Sequence, residues 1–168
     1  MSADIPLNMN QLHPVRTPCI GICSTTSVGD RICRGCKRFA FEVIDWNGYT
    51  NEQKRAILAR IEKLVVPIVE TRFIIRSKPD LEAGLKRLSV PLNPDTPPEV
   101  WLHSLLKKRL NRIDSLPDFG VDVRPQWQHL TLAALAEEMD RQLLLLCDAH
   151  LQRYFPDRAG DDLVGPLG

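Results

Sequence analysis

The chain has 168 residues, of which 43% are hydrophobic and 26% charged, and a formal net charge of +1. That balance suits a soluble globular protein with material for a real core, and it excludes a polycation: attraction to nucleic acid would have to come from a local patch. The longest apolar run, Leu143 to Cys147, falls far short of the ~20 residues that span a bilayer.

The first residues carry neither the basic stretch nor the apolar stretch of a secretory signal. Four of the five cysteines are clustered instead of spread through the chain as a disulfide framework would be. The expected setting is therefore the cytoplasm, with no membrane association. The length fits one domain, or one domain with a small appended module.

Residues 1–17 are polar, are interrupted by Pro6 and Pro14, and read as a loose arm. A four-cysteine module with its following helix is expected over residues 18–66, a helical domain over 67–155 and a frayed tail over 156–168. The fold class is thus mainly α: a small metal-binding module followed by an α-helical bundle.

Within the module, Cys19 and Cys23 form a C-x3-C pair, nine residues intervene, and Cys33 and Cys36 form a C-x2-C pair. Two close pairs joined by a short loop can present four thiolates to one centre, as in structural zinc sites and small iron–sulfur sites. Gly21 and Gly35 lie between the paired cysteines, where the backbone can bend and aim N–H groups at sulfur. Four thiolates around a dication leave a formal charge of about −2, which Arg34, Lys37 and Arg38 can offset. A redox dithiol at Cys33 and Cys36 is the competing reading, but the βαβ context it usually has is missing. A module this small has almost no apolar core, so metal would supply much of its folding free energy.

A helical turn is expected from Phe39 to Trp46, with Phe41, Ile44 and Val43 inward, broken at Asn47-Gly48. Thr50 and Gln53 form a capping box. Behind it, Ile57, Leu58, Ile61, Leu64 and Val65 mark an amphipathic helix that Pro67 ends or kinks. Phe73-Ile74-Ile75 suits a strand or a buried helical turn equally.

Pro79-Asp80 opens a short helix with Leu81, Leu85 and Leu88, and residues 93–98 form a stiff linker. The next helix carries Trp101, Leu102, Leu105, Leu106, Leu110 and Ile113 on one face and Lys107 to Arg112 towards water. Ser115 to Pro125 reads as loop. The last helix is expected from Gln126 to Tyr154, with Leu144 and Leu145 widening its apolar face and Cys147 as a small core residue.

Pro18-Cys19, Gly21-Ile22-Cys23, Ile32-Cys33-Arg34-Gly35-Cys36, Arg38, Glu42, Trp46, Thr50 and Gln53-Lys54-Arg55 resemble the bacterial domain of unknown function 1289, over about residues 18 to 62. Its members are commonly described as predicted iron–sulfur proteins. Lys37 stands where that family usually has glycine, and the loop between the cysteine pairs is slightly long. The resemblance implies a four-cysteine centre and leaves its occupant open between one zinc ion and one iron–sulfur cluster. It says nothing about the helical half.

His13, His103, His129 and His150 show no ligand pairing and read as surface or capping groups. No phosphate loop, Ser/His/Asp grouping or paired carboxylates stand out, so the chain reads as non-enzymatic. From Arg16 to Arg60 there are eight basic and four acidic residues. With Arg34, Lys37, Arg38 and Trp46 as contacts, this region could meet nucleic acid or a protein partner. The favoured explanation is that these charges neutralise the thiolates while the aromatics form a miniature core. The expectation is a metal-fixed interaction or regulatory module; the alternative is an iron–sulfur electron-transfer or redox-sensing protein.

Overall fold

A computed structural model describes residues 14–159, which are mainly helical. They divide into two compact units, one made of residues 14–61 with 151–159 and the other of Glu62–His150.

In the first unit, α1 (Ser24–Val28) is a single turn closed by Gly29 at φ 78°. A second turn, α2 (Ala40–Ile44), begins after Phe39, whose N–H donates to the Glu42 carboxylate at 2.9 Å. The capping box forms as expected: the Thr50 hydroxyl accepts from Gln53 N–H at 3.2 Å, and the Gln53 carbonyl accepts from Thr50 N–H at 2.9 Å. It opens α3 (Asn51–Glu70). Pro67 does not end this helix, which runs on to Glu70. Pro67 and Lys63, whose carbonyl loses its i+4 donor to the proline, are both exposed, so that carbonyl can turn to water while the helix continues.

Ile44 was expected inward and is 70% exposed; Glu42 holds the buried seat on that turn. Five residues are too few to show a helical period, and Glu42 is drawn inward by Arg60, eighteen residues on. The core of this unit is Phe39, fully buried, with its ring 5.6 Å from Phe41 and 5.7 Å from Phe155. The second of these contacts comes from the end of the chain. Residues 156–159, expected to fray, form a turn, α7 (Pro156–Ala159), and Arg31 donates to the Ala159 carbonyl at 3.2 Å.

The second unit is not made of helices alone. Strand β1 (Phe73–Ile75) pairs antiparallel with β2 (Val121–Val123), Ile74 opposite Asp122. The segment 115–125, expected as loop, therefore contains a strand and a 3-10 turn, Leu116–Phe119. Three residues are too short an alternation to read locally, and the partner lies far away in sequence.

Helix α4 (Lys78–Arg87) is capped by Ser77, whose hydroxyl accepts from Asp80 N–H. It packs on α5 (Pro98–Arg109) and on the turn at Leu116–Phe119. Leu81, Leu85, Leu102 and Leu105 are completely buried, and Phe73, Trp101, Phe119 and Val121 of the same unit are nearly so.

The last helix, α6 (Leu132–Tyr154), starts later than expected. Pro125–Trp127 is instead a 3-10 turn whose Trp127 indole N–H donates to the Thr71 carbonyl, and Thr131 caps the helix through Ala134 N–H. Leu135, Met139, Leu143 and Cys147 are buried along α6, but Leu145 is 60% exposed, so the apolar face is narrower than the leucine run implies. Among the described residues no helix is long and apolar enough to cross a membrane.

Candidate metal centre

The second cysteine pair sits on a tight reversal. Ile32 and Phe39 pair as an isolated antiparallel bridge. Inside it, Cys33 N–H donates to the Arg38 carbonyl at 2.9 Å, and Lys37 N–H to the Cys33 carbonyl at 2.8 Å. Closing so short a loop drives Lys37 into the left-handed region at φ 65°. Glycine adopts that conformation without steric cost, whereas lysine carries a Cβ penalty there.

Burial pushes the Cys33 thiol up, but backbone N–H groups of Cys36, Ser24 and Gly35 donate to its sulfur, Cys36 adds a side-chain hydrogen bond, and the result is a thiol lowered to about 6. The Cys36 thiol is raised, first by burial, with the nearby Cys33 charge acting in the same sense and Arg38 opposing both. Arg38 Nε lies 3.2 Å from Cys36 Sγ. The two shifts run in opposite senses, so the ionised form is favoured at Cys33 over Cys36. Hydrogen bonds from amides to sulfur favour the charged form, the form that binds metal.

The first pair lies alongside. Besides the Ser24 amide on the Cys33 sulfur, the Ser24 hydroxyl accepts from Arg34 N–H at 2.9 Å. Gly35 leaves room for the arm: a Cβ there would stand 2.8 Å from Ile20 Cδ1. Gly21, at φ 96°, points its N–H at Cys19 Sγ, 3.4 Å away. Cys19 is nevertheless exposed and Cys23 half-buried, whereas Cys33 and Cys36 are buried; none forms a disulfide.

Among the described residues, no group of three or more His, Cys, Asp or Glu side chains stands in metal-holding geometry. The donor chemistry fits a thiolate centre at Cys33 and Cys36, and the Cys19–Cys23 arm is adjacent, but the four sulfurs are not gathered. His13 lies outside the described residues.

The proposed contact residues fare differently. Lys37, Arg38 and Trp46 are buried, so they do not present themselves to a partner; of the four, Arg34 is exposed. The Lys37 ammonium donates to the Arg34 carbonyl, and the Arg38 guanidinium lies 4.6 Å from the centre of the Trp46 ring. These groups brace the knuckle, and of them Arg38 faces its sulfur. Sequence reasoning missed Ser24, Arg60 and Phe155 as parts of this region. Each acts across at least nine residues, and no local pattern marks it.

This geometry defines a cysteine-knuckle module braced by buried cations. Residues 17–64 match the profile of a family described as "Protein of unknown function (DUF1289)". Over 48 residues the chain is 38% identical to the "Uncharacterized protein YdhL" of Escherichia coli (strain K12), and equally to that of Shigella flexneri. The match covers 29% of this chain and 58% of the relative's length. The resemblance read from the cysteine motif is thus found over that segment, and the helical remainder lies outside it. No solved structure matches.

Proposed function

We propose that the matched segment is a four-thiolate metal module, with Cys19, Cys23, Cys33 and Cys36 holding one zinc ion or one iron–sulfur cluster. The chain then acts without catalysis, as an interaction or regulatory module for a protein or nucleic-acid partner. The observation that carries this reading is the tight reversal that holds Cys33 and Cys36 together, closed by the Cys33–Arg38 and Lys37–Cys33 backbone bonds, with Arg38 Nε 3.2 Å from Cys36 Sγ. When bound, the metal would supply folding free energy to a unit with a small core. The chain's own part is to favour the ionised form of Cys33, to set cationic Arg38 against Cys36 and to offer Cys19 and Cys23 from the adjoining arm.

Elemental analysis of anaerobically purified protein tests this directly. One zinc per chain in a colourless sample supports the interaction module. A brown sample whose visible band bleaches with dithionite moves the protein to electron transfer or redox sensing. Protein that binds neither, even after reconstitution, overturns the proposal.

A further inference from the structure

The helical half contains a surface groove that the metal reading does not use. It has a volume of about 440 Å³ and lies between the end of α5 and the start of α6. Leu110, Ile113 and Leu132 give it aliphatic walls, while Lys107, Lys108 and Asn111 supply its polar edge. From Lys107 to Ile113 the chain carries four cations and no acid. The three cations in the last turn of α5 offset the negative end of that helix. Arg112 lies beyond the helix, in the 3-10 turn Leu110–Arg112, and does not line the groove.

Leu132 and Ala133, on the opposite wall, belong to the first turn of α6, which carries no acidic side chain and is capped by Thr131. The groove is therefore apolar inside, with Lys107 and Lys108 giving one edge a positive charge and Asp114 following Ile113 in the chain.

The partner that fits is acidic and aliphatic. Single-stranded nucleic acid binds on aromatic rings that stack its bases, and none of the residues lining this groove is aromatic. A small polar ligand would need several converging hydrogen-bonding groups, and the lining offers two lysines and one asparagine. We propose that the groove docks an amphipathic helix of a partner protein, its leucine-like face against Leu110, Ile113 and Leu132 and its carboxylates against Lys107 and Lys108. This site does not depend on the metal reading.

The test uses the full chain and fluorescently labelled probes. These are a synthetic helical peptide with leucines on one face and glutamates on the other, its lysine-for-glutamate counterpart, its serine-for-leucine counterpart, a single-stranded RNA, and phosphatidylglycerol vesicles. The acidic amphipathic peptide is expected to bind roughly tenfold tighter than either counterpart peptide, and the Lys107→Glu/Lys108→Glu variant to lose roughly tenfold at low salt. Methyl NMR shifts should fall on Leu110, Ile113 and Leu132, and Ile113→Ser should weaken binding without changing the salt slope. Unchanged metal content and circular dichroism in the lysine variant keep this result separate from the metal reading. The proposal is overturned if RNA or vesicles bind better and lose affinity in the same variant. It is equally overturned if the acidic peptide fails to bind, binds no better than its counterparts, or ignores the lysine substitutions.

Discussion

Arg60 sets both terminal nitrogens of its guanidinium on the carboxylate of Glu42, at 2.7 and 2.8 Å. The pair is largely removed from solvent, and Glu42 also accepts the Phe39 N–H at 2.9 Å. The same guanidinium lies 3.7 Å from the centre of the Phe39 ring. One contact thus ties α3 to the exit of the cysteine knuckle.

Removing one partner strands the other charge, which for a buried pair costs about 3–5 kcal/mol. Glu42→Ala is expected near the lower end of that range, because Arg60 retains some access to solvent. Hydrogen exchange of the Cys33 to Phe39 amides is the readout, since it isolates this unit from the other. If those amides exchange as slowly in the variant as in the parent, the pair does not hold the knuckle. A double variant with Arg60→Met should recover part of the loss.

Cys33→Ser removes the sulfur on which the amides of Ser24, Gly35 and Cys36 converge. Bound metal should fall to background, and residues 18 to 46 should become sensitive to limited proteolysis. The unit Glu62–His150 has its own core and should keep its helical circular dichroism. An N-terminal segment as resistant as the parent's would mean that metal is not what holds it.

Lys37 offers a sharper test because two effects oppose each other. Its φ of 65° is strained for any residue with a Cβ. Lys37→Gly relieves that strain but loses the ammonium bond to the Arg34 carbonyl and some buried side chain. Lys37→Ala loses the same contacts and keeps the strain. The glycine variant should therefore be more stable than the alanine variant by about 1 kcal/mol in urea unfolding. The reverse order would show that the left-handed turn does not form in solution.

Phe155 joins the Phe39–Phe41 pair, with its ring 5.5 Å from Phe41. It is partly exposed, so Phe155→Ala should cost about 1–2 kcal/mol, less than the 3–5 typical of a fully buried phenylalanine. Faster exchange at Phe39 and Ala40, with no change in the Leu81–Leu105 core, would establish the contact. Unaltered protection there would dismiss it.

What could be read from sequence was what is encoded over one or two turns. The cysteine pairs, the Thr50–Gln53 box and the Leu135–Met139–Leu143 stripe each need only near neighbours. Strand β2 was hidden because Val121 is organised by Ile75, and Ile44 was misplaced because the inward seat went to Glu42 through Arg60. The same limit applied to the site. Both cysteine pairs were plain in the sequence, yet the tertiary setting of Cys19 and the burial of Lys37, Arg38 and Trp46 were not. Those depend on how the arm, the knuckle and the chain's far end meet.

Gly84 shows how packing can override local preference. It lies inside α4, where alanine would favour the helix by about 1 kcal/mol. A Cβ at that position would stand 2.7 Å from Phe119 Cε1. The ring cannot simply swing away: Phe119 is buried, and Arg87 lies 4.9 Å above it. Overpacking of this kind costs about 1–3 kcal/mol, so Gly84→Ala should be destabilising despite the better helix former. Pairing it with Phe119→Leu, which vacates the ring's edge, should return part of the loss and give a favourable coupling energy in a double-mutant cycle. A single variant more stable than the parent would show that α4 and the Leu116–Phe119 turn pack more loosely than their geometry indicates, and that propensity decides the sign.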